Sequence, residues 1–315
     1  MLPETWVATV QNGRLLLDAQ TELPEGTQVP LVRTEPPKGL DCDVLLFVTT
    51  PSERKALRRV QERLAGRVLS GRYSDYIDLG QHALYRVFGV ETEMGALQAG
   101  GSATKGLLCP YETGARYVIA VGTAFGVDRS SQAFGDVLVA THVLPYDSVL
   151  IDTESDGRLP RIRYDKAKPT PTDPALVAML RRFVEQSPLT CNVHFGAMLS
   201  GSAQIRCSAH RDHLVAKLNK KLTDLDREQQ KKKGSALAER VVGGEMEGVG
   251  LLATPQTEGS VSWLIVKGIS DFADEQHLAD SEAHRVLACE NSIELVLRAL
   301  GTASLSPAVQ GRREA

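Results

Sequence analysis

From residue 43 onward the chain alternates unbroken apolar runs with amphipathic stretches. Val44-Leu45-Leu46-Phe47-Val48 has no polar break, and a helical pattern over 52–64 follows it. Runs of the first kind recur at 117–121, ending at Gly122, and at 136–140, 194–199 and 263–266. Amphipathic spacing predicts further helices over 173–185, 211–221, 246–252 and 279–300. Strands covered on both faces read as continuous apolar runs, and parallel neighbours need a helix-length crossover between them. The pattern therefore predicts an α/β fold, a three-layer α/β/α sandwich with a mixed, largely parallel central sheet. Ligands in such sheets gather at the carboxyl ends of the strands.

The first 35 residues follow another rhythm. Short apolar stretches at 5–10, 15–17 and 27–32 are separated by Asn12-Gly13 and by Leu23-Pro24-Glu25-Gly26. Asn-Gly suits a type I′ hairpin, whose two central residues both need positive φ. Strands this short bury too little to stand alone, so the segment is predicted as a short N-terminal β appendage. Its wording resembles the small strand-rich modules of swapped-hairpin, antitoxin-like proteins, which implies a protein partner through this module. Packing on the main domain or on a dimer partner is the alternative. Residues 36–42, with Pro36-Pro37 and Gly39, read as a linker, 43–300 as one domain and 301–315 as a disordered tail. Two segments look like insertions: 152–173, with Arg161, Arg163, Lys166 and Lys168, and 224–234, with Lys231-Lys232-Lys233. Each is a solvated face or mobile loop, and the first could also close over a phosphate tail.

Composition narrows the function classes. With 315 residues, 42% hydrophobic and 24% charged, the chain can bury a large core. A formal net charge of -3 creates no global field toward nucleic acid or an anionic membrane. No apolar run approaches the roughly 18 residues of a membrane span, and no basic-then-apolar leader opens the chain. The expectation is a cytoplasmic protein without nucleic-acid or membrane partners. Five cysteines, Cys42, Cys109, Cys191, Cys207 and Cys289, show no CxxC spacing and are odd in number, so reduced thiols are expected. No His or Cys pair has tetrahedral-ligand spacing, and neither metal nor cofactor is expected.

The chemistry concentrates near the end of the domain. Lys267-Gly268-Ile269-Ser270-Asp271-Phe272-Ala273-Asp274 closes the apolar run at 263–266, and Gly244-Glu245-Met246-Glu247-Gly248-Val249-Gly250 lies upstream. These resemble the R-A-I-S-D-x-A-D and E-M-E-x-A signatures of the nucleoside phosphorylase and methylthioadenosine/S-adenosylhomocysteine nucleosidase superfamily. Either motif alone is unspecific; the two in this order and at this separation are specific. The run into Pro51-Ser52-Glu53-Arg54 resembles the family's first βα turn. Val121-Gly122-Thr123-Ala124-Phe125-Gly126 and Gly135-Asp136-Val137-Leu138-Val139 resemble its GxAGG and GD-apolar core. The resemblance spans 43–300 and implies cleavage of the N-glycosidic bond of a purine nucleoside or nucleotide.

Breaking a ribosyl C–N bond leaves positive charge on the sugar and negative charge on the base. It calls for an acid at the leaving group, a group that activates water, and contacts to the ring hydroxyls. The resemblance gives Asp271 the role of acid at the purine N7, oriented by Ser270. A carboxyl at an apolar strand end can keep its proton near neutrality. Capping of the next turn is the alternative use of this Ser-Asp pair. Glu247 would accept both ribose hydroxyls, with Met246 beneath the sugar; otherwise Glu245 and Glu247 are helix-start carboxylates. Glu53 would be the general base for water, or else an exposed first-turn acid. Lys267 stands where nucleosidases commonly carry arginine, and could hold water or phosphate as a point charge. Gly101 and Ser102, in the turn before a helix, could offer backbone N–H groups to an anion or to the nucleophilic water, or form a plain tight turn. Ser200-Gly201-Ser202-Ala203-Gln204-Ile205 resembles the family's S-G-D-A-F-I loop, whose backbone reads the adenine edge. Ile205 keeps its place, Gln204 replaces the stacking phenylalanine, and Phe272 either supplies the aromatic surface or is core.

A phosphorylase of this family has arginine in a G-D-P-x-R turn after the first strand. Thr50-Pro51-Ser52-Glu53-Arg54 sets its arginine one position late, so water is the expected nucleophile. Taken together the motifs resemble the phosphorylase-superfamily effector domains of bacterial defence and signalling systems more than housekeeping nucleosidases. Some of those effectors hydrolyse adenine nucleotides, ATP included, to adenine and ribose phosphate. Methylthioadenosine nucleosidase or purine nucleoside phosphorylase activity is an alternative, and a non-catalytic nucleotide sensor is an alternative of another class. The resemblance also implies a homo-oligomer, because relatives complete or border their sites across subunit interfaces.

Overall fold

A computed structural model describes residues 8–11, 14–17, 39–153, 160–164, 166–233, 240–253, 261–276 and 282–302. The chain falls into two units, Met1–Thr34 and Glu35–Ala315. In the first, β1 (Ala8–Gln11) and β2 (Arg14–Leu17) pair antiparallel with Gln11 opposite Arg14, the register of a two-residue turn. The turn residues, the third expected strand at 27–32, residues 36–38 of the linker and the tail from 303 lie outside the described residues.

The second unit opens with β3 (Val44–Val48), buried at every position, which is why its sequence shows no alternation. Helix α1 (Pro51–Arg63) returns the chain to the meander β4 (Val68–Ser70), β5 (Asp75–His82) and β6 (Tyr85–Glu91). Helix α2 (Ser102–Thr113) leads into β7 (Tyr117–Gly126), followed by β8 (Val137–Pro145). A ribbon of β9 (Leu150–Thr153) and β10 (Pro160–Arg163) precedes the short β11 (Thr170–Pro171), α3 (Pro174–Gln186) and β12 (Val193–Ser200). The chain ends with α4 (Ser208–Lys233), β13 (Val241–Glu245), α5 (Gly248–Leu251), β14 (Ser262–Asp271) and α6 (Glu282–Thr302). No helix among the described residues is long and apolar enough to cross a membrane.

The expected mixed α/β sheet is present. Two parallel groups, β6–β3–β7–β14 and β13–β12–β8, form its centre. Short antiparallel pairings of β13 with β7 and of β14 with β8 join the groups, so the sheet curls into a closed circuit at that end. Consequently β14 has a strand on each side, with α6 packed against it.

Several elements run further than the apolar pattern indicates. β7 does not stop at Gly122 but continues to Gly126, and β14 includes Lys267 to Asp271 rather than ending before them. Polar residues inside a strand are hidden from a hydrophobicity pattern when they pair with one another in the core. Helix α4 runs through 224–233, which was expected as an insertion: that stretch has no Gly or Pro and is rich in helix formers. Helix α5 is shorter than expected, leaving Met246 and Glu247 in the turn before it. The segment after β8 carries the ribbon, whose facing residues Ile151 and Ile162 are both exposed.

The tightest contact between layers is at Gly268, where a Cβ would stand 2.0 Å from the Ala288 carbonyl oxygen of α6. Gly268→Ala therefore forces helix and strand apart and should destabilise the protein by about 1–3 kcal/mol, as overpacking does. The expected readout is a lower urea midpoint at unchanged slope; a midpoint equal to that of the wild type would contradict this packing.

Candidate active site

Glu53 begins as an ordinary helix-start acid. Thr50 caps α1: its Oγ1 accepts from Glu53 N at 3.3 Å while Thr50 N donates to Glu53 Oε2 at 3.0 Å, a capping box. Such acids usually face solvent, but Glu53 is 0% exposed. The exposed-acid alternative is therefore excluded. Its Oε2 also accepts Thr49 N at 2.7 Å, and Oε1 accepts Thr123 N at 2.6 Å and Thr123 Oγ1 at 3.0 Å. The β7 backbone can come this close because Gly122, at φ +134°, has no side chain: a Cβ there would lie 2.1 Å from Glu53 Oε1. Burial alone would raise the Glu53 pKa, but the Lys267 cation and the N–H donors of Thr50, Thr123 and Thr49 outweigh it and hold the group below the ordinary carboxylate value.

Lys267 joins this carboxylate to the second one. Its Nζ lies 3.5 Å from Glu53 Oε1 and 3.3 Å from Glu247 Oε2, and the residue is 1% exposed. Burial pulls a lysine pKa down; here the carboxylates of Glu53, Glu247 and Glu245 reverse that effect and keep the ammonium charged. Glu247 behaves differently from Glu53. Burial pushes its pKa up to about 7, with Lys267 opposing and the Glu53 and Glu245 charges adding to the rise. Of the two carboxylates on one ammonium, Glu247 is thus the one that titrates near neutrality.

The turn carrying Glu247 is held by its neighbours. Glu245 Oε2 accepts Glu247 N at 2.9 Å and Gly248 N at 2.8 Å, Ser200 Oγ accepts Val249 N at 2.7 Å, and Ser102 Oγ donates to the Glu247 carbonyl at 2.5 Å. Met246 is half-buried. Of the Gly101-Ser102 turn, expected to offer backbone N–H groups or to be a plain tight turn, part is engaged internally. Gly101 N and Ala103 N donate to the Gln98 and Ala96 carbonyls, and the Ser102 hydroxyl faces Glu247.

At the end of β14 the Ser-Asp pair is hydrogen-bonded within itself and caps the following turn. Ser270 Oγ donates to Asp271 Oδ2 at 3.0 Å, while Asp271 Oδ1 accepts Ala273 N at 2.9 Å. Asp271 is half-buried. The loop at 200–205 is fastened by Asp147 Oδ2, which accepts Ser202 N at 2.9 Å, and by the Tyr146 hydroxyl on the Ala203 carbonyl. The Ile205 backbone forms no hydrogen bond with the described residues. Gln204 is exposed, with Oε1 accepting Arg206 Nη2 at 2.6 Å. Phe272 is core: it is 2% exposed, edge-on to Phe134 at 5.5 Å, with the Arg129 guanidinium 4.3 Å over its ring. That packing replaces the expectation of an aromatic surface for a base. Arg54, the late arginine, donates to the Thr92 carbonyl at 2.7 Å and lies 3.8 Å from Glu91.

Glu53, Lys267, Glu247 and Glu245 thus form one buried network, and Ser270 and Asp271 follow on the strand that supplies Lys267. Sequence reasoning missed Thr123 and Thr49, which act through backbone N–H groups that no side-chain pattern reveals. It also missed Tyr146, whose signal would have been an aromatic next to an Asx residue at the exit of a buried strand. No group of three or more His, Cys, Asp or Glu among the described residues is arranged to hold a metal.

Comparison with known proteins accords with this fold. The solved structures similar to the chain include methylthioadenosine/S-adenosylhomocysteine nucleosidases. That of Streptococcus pneumoniae, in complex with 8-aminoadenine, is 17% identical, with TM-score 0.60, covering 83% of this chain and 100% of the other. That of Neisseria meningitidis, with methylthio-immucillin-A, is 18% identical, with TM-score 0.59, covering 83% and 99%. That of Colwellia psychrerythraea, with adenine, is 19% identical, with TM-score 0.59, covering 84% and 99%. At such identities the likeness concerns the fold. No curated protein matches the chain. The family model described as the phosphorylase superfamily matches residues 44–301, the whole span from β3 to the end of α6, and the chain belongs to that superfamily.

Proposed function

We propose that the protein is a nucleosidase that hydrolyses the N-glycosidic bond of an adenine nucleoside or nucleotide, ATP among them, to free adenine and ribose or ribose phosphate. The observation that carries this reading is the Glu53–Lys267–Glu247 network, which puts a carboxylate of lowered pKa, suited to act as a base, beside a carboxylate suited to two ribose hydroxyls. Glu53 activates water as the Thr123 hydroxyl turns away and leaves an acceptor site on Oε1. Glu247 accepts the ribose hydroxyls, with Met246 beneath the sugar. Asp271, oriented by Ser270, supplies the proton for the leaving purine at N7. The Ile205 N–H and carbonyl are free to read the adenine edge, in keeping with the adenine bound to a relative of the same fold.

Water is favoured over phosphate by charge. Lys267 is engaged by two carboxylates and Arg54 by the Thr92 carbonyl and Glu91, so neither serves a phosphate nucleophile. A role in bacterial defence or signalling rests on the resemblance of the motifs to effector domains. The exposed Lys166 and Lys168 are the basic residues that would suit a nucleotide's phosphate tail.

Purified protein incubated separately with ATP, AMP, adenosine and methylthioadenosine should release adenine from at least one of them, at a rate that added inorganic phosphate does not raise. Turnover of methylthioadenosine alone would remove the nucleotide reading, and adenine release from none would remove the nucleosidase reading. Asp271→Asn should lower kcat by at least about a hundredfold, as loss of a general acid does, while ligand affinity measured by calorimetry stays within a few-fold. Because Glu247 must be ionised to accept two hydroxyls, KM for the ribonucleoside should fall as pH rises through about 7. Glu247→Gln should flatten that dependence; an unchanged KM profile in the variant would assign the titration to another group.

A further inference from the structure

Glu245 has no part in the chemistry just described, yet it is the residue on which the Glu247 backbone depends. We infer that Glu245, aided by Ser102, is a positioning residue that sets the direction of the Glu247 carboxylate and thereby governs how strongly the enzyme uses the 2′ and 3′ hydroxyls of its substrate. This rests on the nucleosidase reading above.

Four observations carry it. Glu245 is 3% exposed, so its carboxylate is held away from water. One oxygen, Oε2, takes the N–H groups of Glu247 and Gly248 together, at 2.9 and 2.8 Å. The other, Oε1, is buried with no hydrogen bond, so the carboxylate's hydrogen bonding goes wholly to this turn. From the opposite side Ser102 Oγ donates to the Glu247 carbonyl, and Gly250 leaves room for it: a Cβ there would stand 2.1 Å from Ser102 Oγ. The Glu247 peptide groups are therefore fixed at both N–H and C=O by side chains from two elements, β13 and α2. A carboxylate three bonds from such a backbone has little freedom left beyond its own rotamers. Helix α5 is too short to impose this direction itself, since it spans only Gly248–Leu251.

The geometry also separates Glu245 from a merely structural acid. Gln at this position keeps one oxygen to accept both N–H groups; Ala keeps none. Removal of the cap should act through Glu247 alone, so its effect should appear with substrates that carry both hydroxyls and vanish with those that lack one.

The test compares Glu245→Ala, Glu245→Gln and Ser102→Ala on adenosine and 2′-deoxyadenosine, with amide hydrogen exchange at Glu247 and Gly248. Glu245→Ala should reduce kcat/KM for adenosine by about tenfold, the size of a lost helix cap, and for 2′-deoxyadenosine by less than about twofold. Glu245→Gln should recover most of the loss, and Ser102→Ala should show the same preference for harming the ribose substrate. In the double variant with Glu247→Ala the Glu245 effect should disappear, since the two act as a unit. Equal loss on both substrates would overturn the proposal, as would unchanged exchange at Glu247 and Gly248 in Glu245→Ala. If Glu245→Ala does not fold, the Gln and Ser102 variants decide alone. A wild type that releases no base from any nucleoside overturns the nucleosidase reading and the hydroxyl dependence with it, while the exchange result still judges the positioning itself.

Discussion

A single ammonium group in the core, that of Lys267, is the constraint around which the rest of the site is arranged. A lysine this deeply buried costs several kcal/mol in lost hydration unless carboxylates surround it. Here they come from distant parts of the chain: Glu53 from the first turn of α1, Glu247 from the turn between β13 and α5. Removing the lysine would leave two acids facing each other in a dry interior, and removing either acid would leave the cation short of a partner. Assembly of this centre and completion of the fold are consequently one event. The approach of β7 at Gly122 belongs to the same constraint, because only a backbone without a side chain can deliver the Thr123 N–H to a carboxylate that the lysine already touches.

The two carboxylates are not equivalent, and their surroundings explain why. Glu53 is encircled by backbone donors, which stabilise the anion and need no rearrangement to do so. Glu247 has its backbone fixed but its side chain supported by Lys267 alone among the described residues, and burial leaves it close to neutrality in its affinity for a proton. Burial raises both acids; Lys267 and the backbone donors outweigh it at Glu53, while at Glu247 the neighbouring carboxylate charges add to it. In the proposed reaction this divides labour between a base of lowered pKa and a ligand-binding acid that responds to pH near neutrality.

Much of this was legible in the sequence because the motifs are contiguous. Glu245-Met246-Glu247-Gly248 and Ser270-Asp271 each lie within one turn or strand end, and the apolar runs at 44–48, 117–121 and 263–266 marked the strands that carry or flank them. What the sequence concealed was of three kinds. Backbone donors such as Thr49 and Thr123 have no residue signature. Lys267 reads as a point charge for water or phosphate, because nothing local shows that Glu53 and Glu247 will meet it. Phe272 sat in a binding motif but was claimed by Phe134 and Arg129, residues whose proximity depends on the whole sheet. Helix α4 was cut short for another reason: a charged stretch was read as a loop although it contained nothing to break a helix.

The curl that places β14 between β7 and β8 has a bearing on how the site breathes. A strand bonded on both sides at Val266–Gly268, with α6 packed against it, is braced against local opening, so Lys267 sits on one of the firmer elements of the domain. The loop at 200–205 is instead held by the Tyr146 hydroxyl, the Asp147 carboxylate, a backbone hydrogen bond from Gly201 to Glu245 and the buried Ile205, none of which belongs to that strand. In the proposed reaction, entry and exit of a ligand would fall to that loop, apart from the strand that holds the buried charge.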